Sequence, residues 1–141
     1  MSPSVIRPLV LSMGDPAGIG PEIVVKAFRE RPALLREVVV AGDVATLQRA
    51  LRLTTPKSGA GSLMLAQIEA MGDLLQVPPG CMAVVQACNL PEQVAWGKIG
   101  AQAGKAAADC IRFAAQAALR QEARAVVTAP IHKESLAAAG V

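Results

Sequence analysis

Short apolar runs bounded by glycine and proline alternate along this chain with longer segments of helical spacing. Leu9-Val10-Leu11-Ser12-Met13 is an apolar run ending at Gly14, the pattern of a strand buried on both faces. A glycine-rich turn follows. Pro21 then stands where a first helical residue would, since its missing N–H costs nothing there, and Glu22 adds negative charge near the positive helix end. The pattern predicts a helix through about Arg29. Val38-Val39-Val40-Ala41 reads as a second buried strand, closed by Gly42 and by Asp43, which can cap a helix over residues 44–51.

Residues 54–61, with Pro56, Gly59 and Gly61, predict a loop, and residues 62–77 leave strand and helix both open. Pro78-Pro79-Gly80 breaks the chain, residues 81–87 are strand-like, and residues 89–97 form a connection carrying the only Trp. Residues 100–119 are alanine-rich. Ala103, Ala107, Ile111, Ala114, Ala115 and Ala118 recur at three- and four-residue steps, which marks one face of a long helix. Its small side chains suit packing on a sheet or at a subunit interface. Ala125-Val126-Val127-Thr128 reads as another buried strand, leading through Ala129-Pro130 into a short helix over residues 133–139, ended by Gly140. This alternation predicts an α/β fold with a parallel sheet covered by helices, and no internal repeat is visible.

Composition narrows the picture. A chain of 141 residues with 52% hydrophobic and 18% charged residues fits one packed domain. Aromatics supply only 2% of residues, so stacking platforms for bases are absent, and a net charge of +3 spread over scattered Lys and Arg argues against a nucleic-acid partner. Cys81, Cys88 and Cys110 form no C-x-x-C pair and no even disulfide framework, which suits buried free thiols in a reducing compartment. The opening residues lack the apolar run of a signal peptide, and no stretch is long enough to span a membrane. A soluble, cytoplasmic protein with no membrane partner is the expectation.

Candidate chemistry begins at residues 14–22, which join a strand end to a helix start, where free N–H groups and the helix dipole favour ligands. The glycine spacing matches neither G-x-G-x-x-G nor the phosphate loop ending in Gly-Lys-Ser/Thr. A purely structural turn remains open, because Gly and Pro are ordinary turn residues. The same holds for Asp15, since Asp-Pro commonly begins a turn. His132 and Lys133 either form a solvated helix start or line a cleft near a substrate phosphate, and Thr128 either satisfies nearby backbone or offers a cleft hydroxyl. The candidate substrate or cofactor cleft is therefore Gly14, Asp15, Gly18, Gly20, Thr128, His132 and Lys133, with no residue assigned as catalytic and none as a metal ligand.

Taken whole, Ser12-Met13-Gly14-Asp15-Pro16-Ala17-Gly18-Ile19-Gly20-Pro21-Glu22 strongly resembles the opening of the 4-hydroxythreonine-4-phosphate dehydrogenase family. Residues 126–136, followed by Ala139-Gly140-Val141, resemble that family's mid-chain strand and helix. Trp96-Gly97-Lys98-Ile99 and Gly104-Lys105-Ala106-Ala107 fit its pattern as well. The likeness is weakest over residues 54–79.

The resemblance implies an isocitrate/isopropylmalate-dehydrogenase-like α/β fold, incomplete in this chain. It implies oxidation of 4-phosphohydroxy-L-threonine by NAD or NADP, then decarboxylation to 3-amino-2-oxopropyl phosphate in pyridoxal phosphate biosynthesis. It also implies a divalent metal (zinc, magnesium or cobalt) that polarises the alcohol, and a homodimer whose subunits share each metal site. Family members hold that metal with three histidines, whereas His132 is the only histidine here and is not one of them. The family's Gly-His-Thr-Glu segment would follow just past Val141. The expectation is a truncated amino-terminal part, inactive alone. Three alternatives stand beside it: a non-catalytic module binding a phosphorylated metabolite, a dimerisation domain using the alanine-rich helix, or a related dehydrogenase of a four-carbon sugar-acid phosphate or a dihydrodiol.

Overall fold

A computed structural model describes residues 7–58 and 62–141. Residues 1–6 of the stretch read for a signal peptide, and Gly59 and Gly61 of the expected loop, lie outside the described residues. Five strands form one parallel sheet: β1 (Leu9–Ser12), β2 (Val38–Gly42), β3 (Met64–Ile68), β4 (Cys81–Gln86) and β5 (Ala125–Thr128), in the spatial order β3-β4-β2-β1-β5. The helices are α1 (Gly20–Glu30), α2 (Val44–Thr54), α3 (Ala101–Leu119) and α4 (Lys133–Ala138). Single 3₁₀ segments, Pro32–Arg36 and Met71–Gln76, precede β2 and β4.

The predicted elements form for the predicted reasons where local chemistry governs them. Pro21 sits in the first turn of α1, and Asp43 caps α2, its Oδ2 accepting from the Thr46 N–H at 2.9 Å. The second Asp43 oxygen accepts from Gln86 Nε2 at 2.8 Å, tying the cap to the end of β4. Every residue of β2 is buried, as are the first five of β4, so these central strands carry continuous apolar runs. The open stretch at 62–77 resolves into β3 followed by a 3₁₀ turn. Gly140 ends α4 with φ +79°, and the Val141 N–H donates to the Leu136 carbonyl.

Two expectations need correction. Residues 125–128 form a strand, but all four are exposed: among the described residues β5 is the sheet's edge, paired with β1 alone. An apolar run reports strand character without reporting which neighbours cover it. On α3 the buried stripe runs Ala103, Ala106, Ala107, Cys110, Ala114 and Ala117, whereas Ala115 is exposed and Ile111 and Ala118 are only partly buried. Alanine occurs all round this helix, so its spacing alone marked the face imperfectly.

From β1 the chain steps toward β2, whereas from β4 it crosses back over β2 and β1 to reach β5. The reversal, with right-handed crossovers, puts the α1–α2 pair and the α3–α4 pair on opposite faces. The loops leaving β1 and β5 therefore lead to helices on different faces from neighbouring carboxyl ends of the sheet. Among the described residues, no helix is long and apolar enough to cross a membrane.

Candidate functional site

Strands β1 and β5 end in register, Ser12 opposite Thr128, so the turn after each begins at the same level. The Ala129 N–H donates to the Ser12 carbonyl at 3.0 Å, and the Asp15 N–H donates to the Pro130 carbonyl at 3.0 Å. Only glycine suits position 14. Its φ is +80°, and a Cβ there would approach the Pro130 carbonyl oxygen closer than 3.0 Å. The glycine turn and the 129–132 turn are thus packed backbone to backbone at the switch point, where open parallel sheets bind ligands.

A third segment closes the site. The Gly97 N–H donates to the Ala17 carbonyl at 2.6 Å, bringing Lys98 and Ile99 beside the glycine turn. Arg49 steadies this loop, its guanidinium lying 3.8 Å from the Trp96 ring centroid while Nη1 donates to the Val94 carbonyl at 3.0 Å. Burial lowers the Arg49 pKa, with Asp43 opposing that shift. The three segments line a cavity of about 270 Å³. Ile19, Ile99 and Ile131 give it apolar walls, and Lys98 and His132 are its basic residues.

The candidate residues divide accordingly. Asp15, Gly18 and His132 line the cavity; Gly14, Gly20, Thr128 and Lys133 do not. The Asp15 carboxylate is buried, Oδ1 accepting from the Ala17 N–H at 2.7 Å. Gly20 is the buried first residue of α1, Thr128 the exposed end of β5, and Lys133 the exposed first residue of α4. His132 is exposed and starts α4 without a side-chain capping bond. Gly97, Lys98 and Ile99 were not among the candidates, although their sequence fitted the family pattern. Nothing in local spacing brings residue 98 beside residue 17.

Among the described residues, no group of three His, Cys, Asp or Glu side chains could hold a metal ion. The residues present therefore do not fit the metal the resemblance implies. A larger cavity of about 670 Å³, lined by Pro32, Leu35, Arg36, Leu75, Pro79 and Cys81 among others, lies at the opposite end of the sheet, by the starts of β2 and β4. It lies at the amino ends of the strands, whereas open parallel sheets bind ligands at the carboxyl ends, where the smaller pocket lies.

The parallel five-stranded sheet, with the glycine turn and a pocket at its carboxyl edge, defines an α/β domain. A model of the family described as pyridoxal phosphate biosynthetic protein PdxA matches residues 34–141, and the chain belongs to that family. It is 38% identical over 135 residues to the D-threonate 4-phosphate dehydrogenase of Salmonella typhimurium, covering 95% of this chain and 40% of that protein. It is 37% identical over 137 residues to the 4-hydroxythreonine-4-phosphate dehydrogenase of Beijerinckia indica, covering 96% of this chain and 38% of that one. The crystal structure of the 4-hydroxythreonine-4-phosphate dehydrogenase of Klebsiella pneumoniae superposes with a TM-score of 0.81 at 35% identity, covering 95% of this chain and 40% of that one. The chain thus spans about 40% of the length of such relatives.

Proposed function

We propose that this chain is the amino-terminal part of a nicotinamide-dependent dehydrogenase that oxidises a four-carbon phosphorylated hydroxy acid. The observation that carries this reading is the meeting of the glycine turn with residues 129–132 around one pocket at the switch point, in a member of this family. At about 270 Å³ the pocket suits a small acid or one ring rather than a whole dinucleotide. The substrate proposed first is 4-phosphohydroxy-L-threonine, oxidised and then decarboxylated to 3-amino-2-oxopropyl phosphate. The Salmonella relative's name favours a second reading, D-threonate 4-phosphate.

This chain's own part is binding: Ile19, Ile99 and Ile131 offer apolar surface to the ligand's carbon body, and the packed turns keep the pocket's shape. A nicotinamide, NAD or NADP, supplies the hydride acceptor when bound. A divalent metal would polarise the alcohol, but its ligands are not among the described residues. By likeness to the family, the active protein is proposed to be a cytoplasmic homodimer that holds its metal with histidines outside this chain, with the 141 residues inactive by themselves.

Two measurements on the 141-residue chain test this. Titration with each substrate and each cofactor should give saturable amide shifts confined to residues 15–19, 97–99 and 130–132, and the tighter substrate decides between the two. An assay with substrate, metal and NAD or NADP should show no reduced cofactor. Absence of binding by every compound overturns the site reading, and chelator-sensitive reduction overturns the claim of inactivity.

A further inference from the structure

We propose that Lys98 is the residue that recognises the oxyanion end, carboxylate or phosphate, of the small ligand held in this pocket. The inference rests on the reading of the pocket as a ligand site and not on the dehydrogenase chemistry.

The backbone at Lys98 is placed with care. The Gly97 N–H is held by the Ala17 carbonyl at 2.6 Å, and Gly97 itself takes φ +71°, turning the chain so that Lys98 and Ile99 both line the cavity. Upstream, the Arg49 contacts at Val94 and Trp96 anchor the same loop. Such anchoring fixes the backbone from which the exposed Lys98 side chain reaches the pocket.

Charge points the same way. The one carboxylate lining the cavity, that of Asp15, is buried and accepts from the Ala17 N–H, so it is oriented toward its own turn. Ion pairs among the described residues join only Lys105 and Arg112 to Asp109, and none involves Lys98. Lys98 thus brings a cation to a pocket with isoleucine walls, and among the described residues no acidic side chain, Asp15 included, forms an ion pair with it. Ile19, Ile99 and Ile131 accommodate a short carbon body and cannot hydrogen-bond an oxyanion. The remaining basic side chain, His132, opens α4 from the wall formed with Pro130 and Ile131. Lys133 is the next residue, but it lies outside the lining and serves as an internal control.

The test uses the 141-residue chain with three probes: inorganic phosphate, glycerate and 3-phosphoglycerate, followed by amide shifts and calorimetry. Lys98→Gln should weaken 3-phosphoglycerate binding about tenfold or more, Lys98→Arg should restore most of it, and Lys133→Gln should leave it within about twofold. Rising salt should weaken wild-type binding and leave K98Q little changed, because an exposed ion pair is screened. Lys98-dependent binding of phosphate alone assigns the phosphate end, and that of glycerate alone assigns the carboxylate end. Equal binding by wild type and K98Q overturns the proposal, as does an equal loss in K133Q or no binding of any probe. In a catalytically competent family member carrying these residues, Lys98-dependent anion binding without hydride transfer would remove the dehydrogenase reading alone. Hydride transfer with a KM indifferent to K98Q would remove this inference alone.

Discussion

Gly104 of α3 lies so close to Ser135 of α4 that a Cβ at position 104 would stand closer than 3.0 Å to the Ser135 carbonyl. The approach sets where α4 begins, and with it His132 on the pocket wall. Gly104→Ala should therefore destabilise the fold despite the roughly 1 kcal/mol by which alanine favours a helix interior. Overpacking against backbone costs about 1–3 kcal/mol, and α4 must move to relieve it. Urea unfolding should show a lower midpoint, and the amide signals of residues 131–135 should shift more than those of β2.

Asp15 supports the glycine turn through its bond to the Ala17 N–H at 2.7 Å. Asp15→Ala leaves that buried donor without its acceptor and should cost about 1–3 kcal/mol, whereas Asp15→Asn keeps an acceptor oxygen and should cost less. Denaturant curves of the two variants check the order. A pure ligand role for Asp15 would instead leave both curves where the wild type has them.

Asp43 joins three elements, accepting from Thr46 N–H and Oγ1 with one oxygen and from Gln86 with the other. Asp43→Ala should cost about 2 kcal/mol, the upper end for a lost helix cap, because the Gln86 contact goes too. Thermal melts should show the loss, and hydrogen exchange should quicken first in the opening turn of α2.

Cys110 is on the buried face of α3, and its thiol pKa is raised well above the ordinary range by a hydrogen bond with Cys88, then by burial. The folded state therefore keeps a proton that the unfolded chain releases above about pH 8.5. By linkage, this contribution to stability is fully present below the unfolded thiol pKa and declines as pH rises past it. Unfolding free energies between neutral and alkaline pH should fall, and Cys110→Ala should flatten that decline. Under native conditions a thiol reagent should label the half-buried Cys88 before Cys110.

Local chemistry made much of the fold legible in the sequence. Apolar runs ending at Gly14 and Gly42, Pro21 at a helix start, Asp43 as a cap and Gly140 after a helix each act through neighbours a few residues away. The order of strands and helices implied a parallel sheet, and the long 12–22 string carried the family resemblance. What lay beyond the sequence depends on partners distant along the chain. Only the sheet order exposes β5, although its residues are as apolar as those of a central strand. Likewise, only the folded chain brings Lys98 beside Ala17. A residue's type limits the chemistry it can perform, whereas its exposure and neighbours are settled when remote segments pack together.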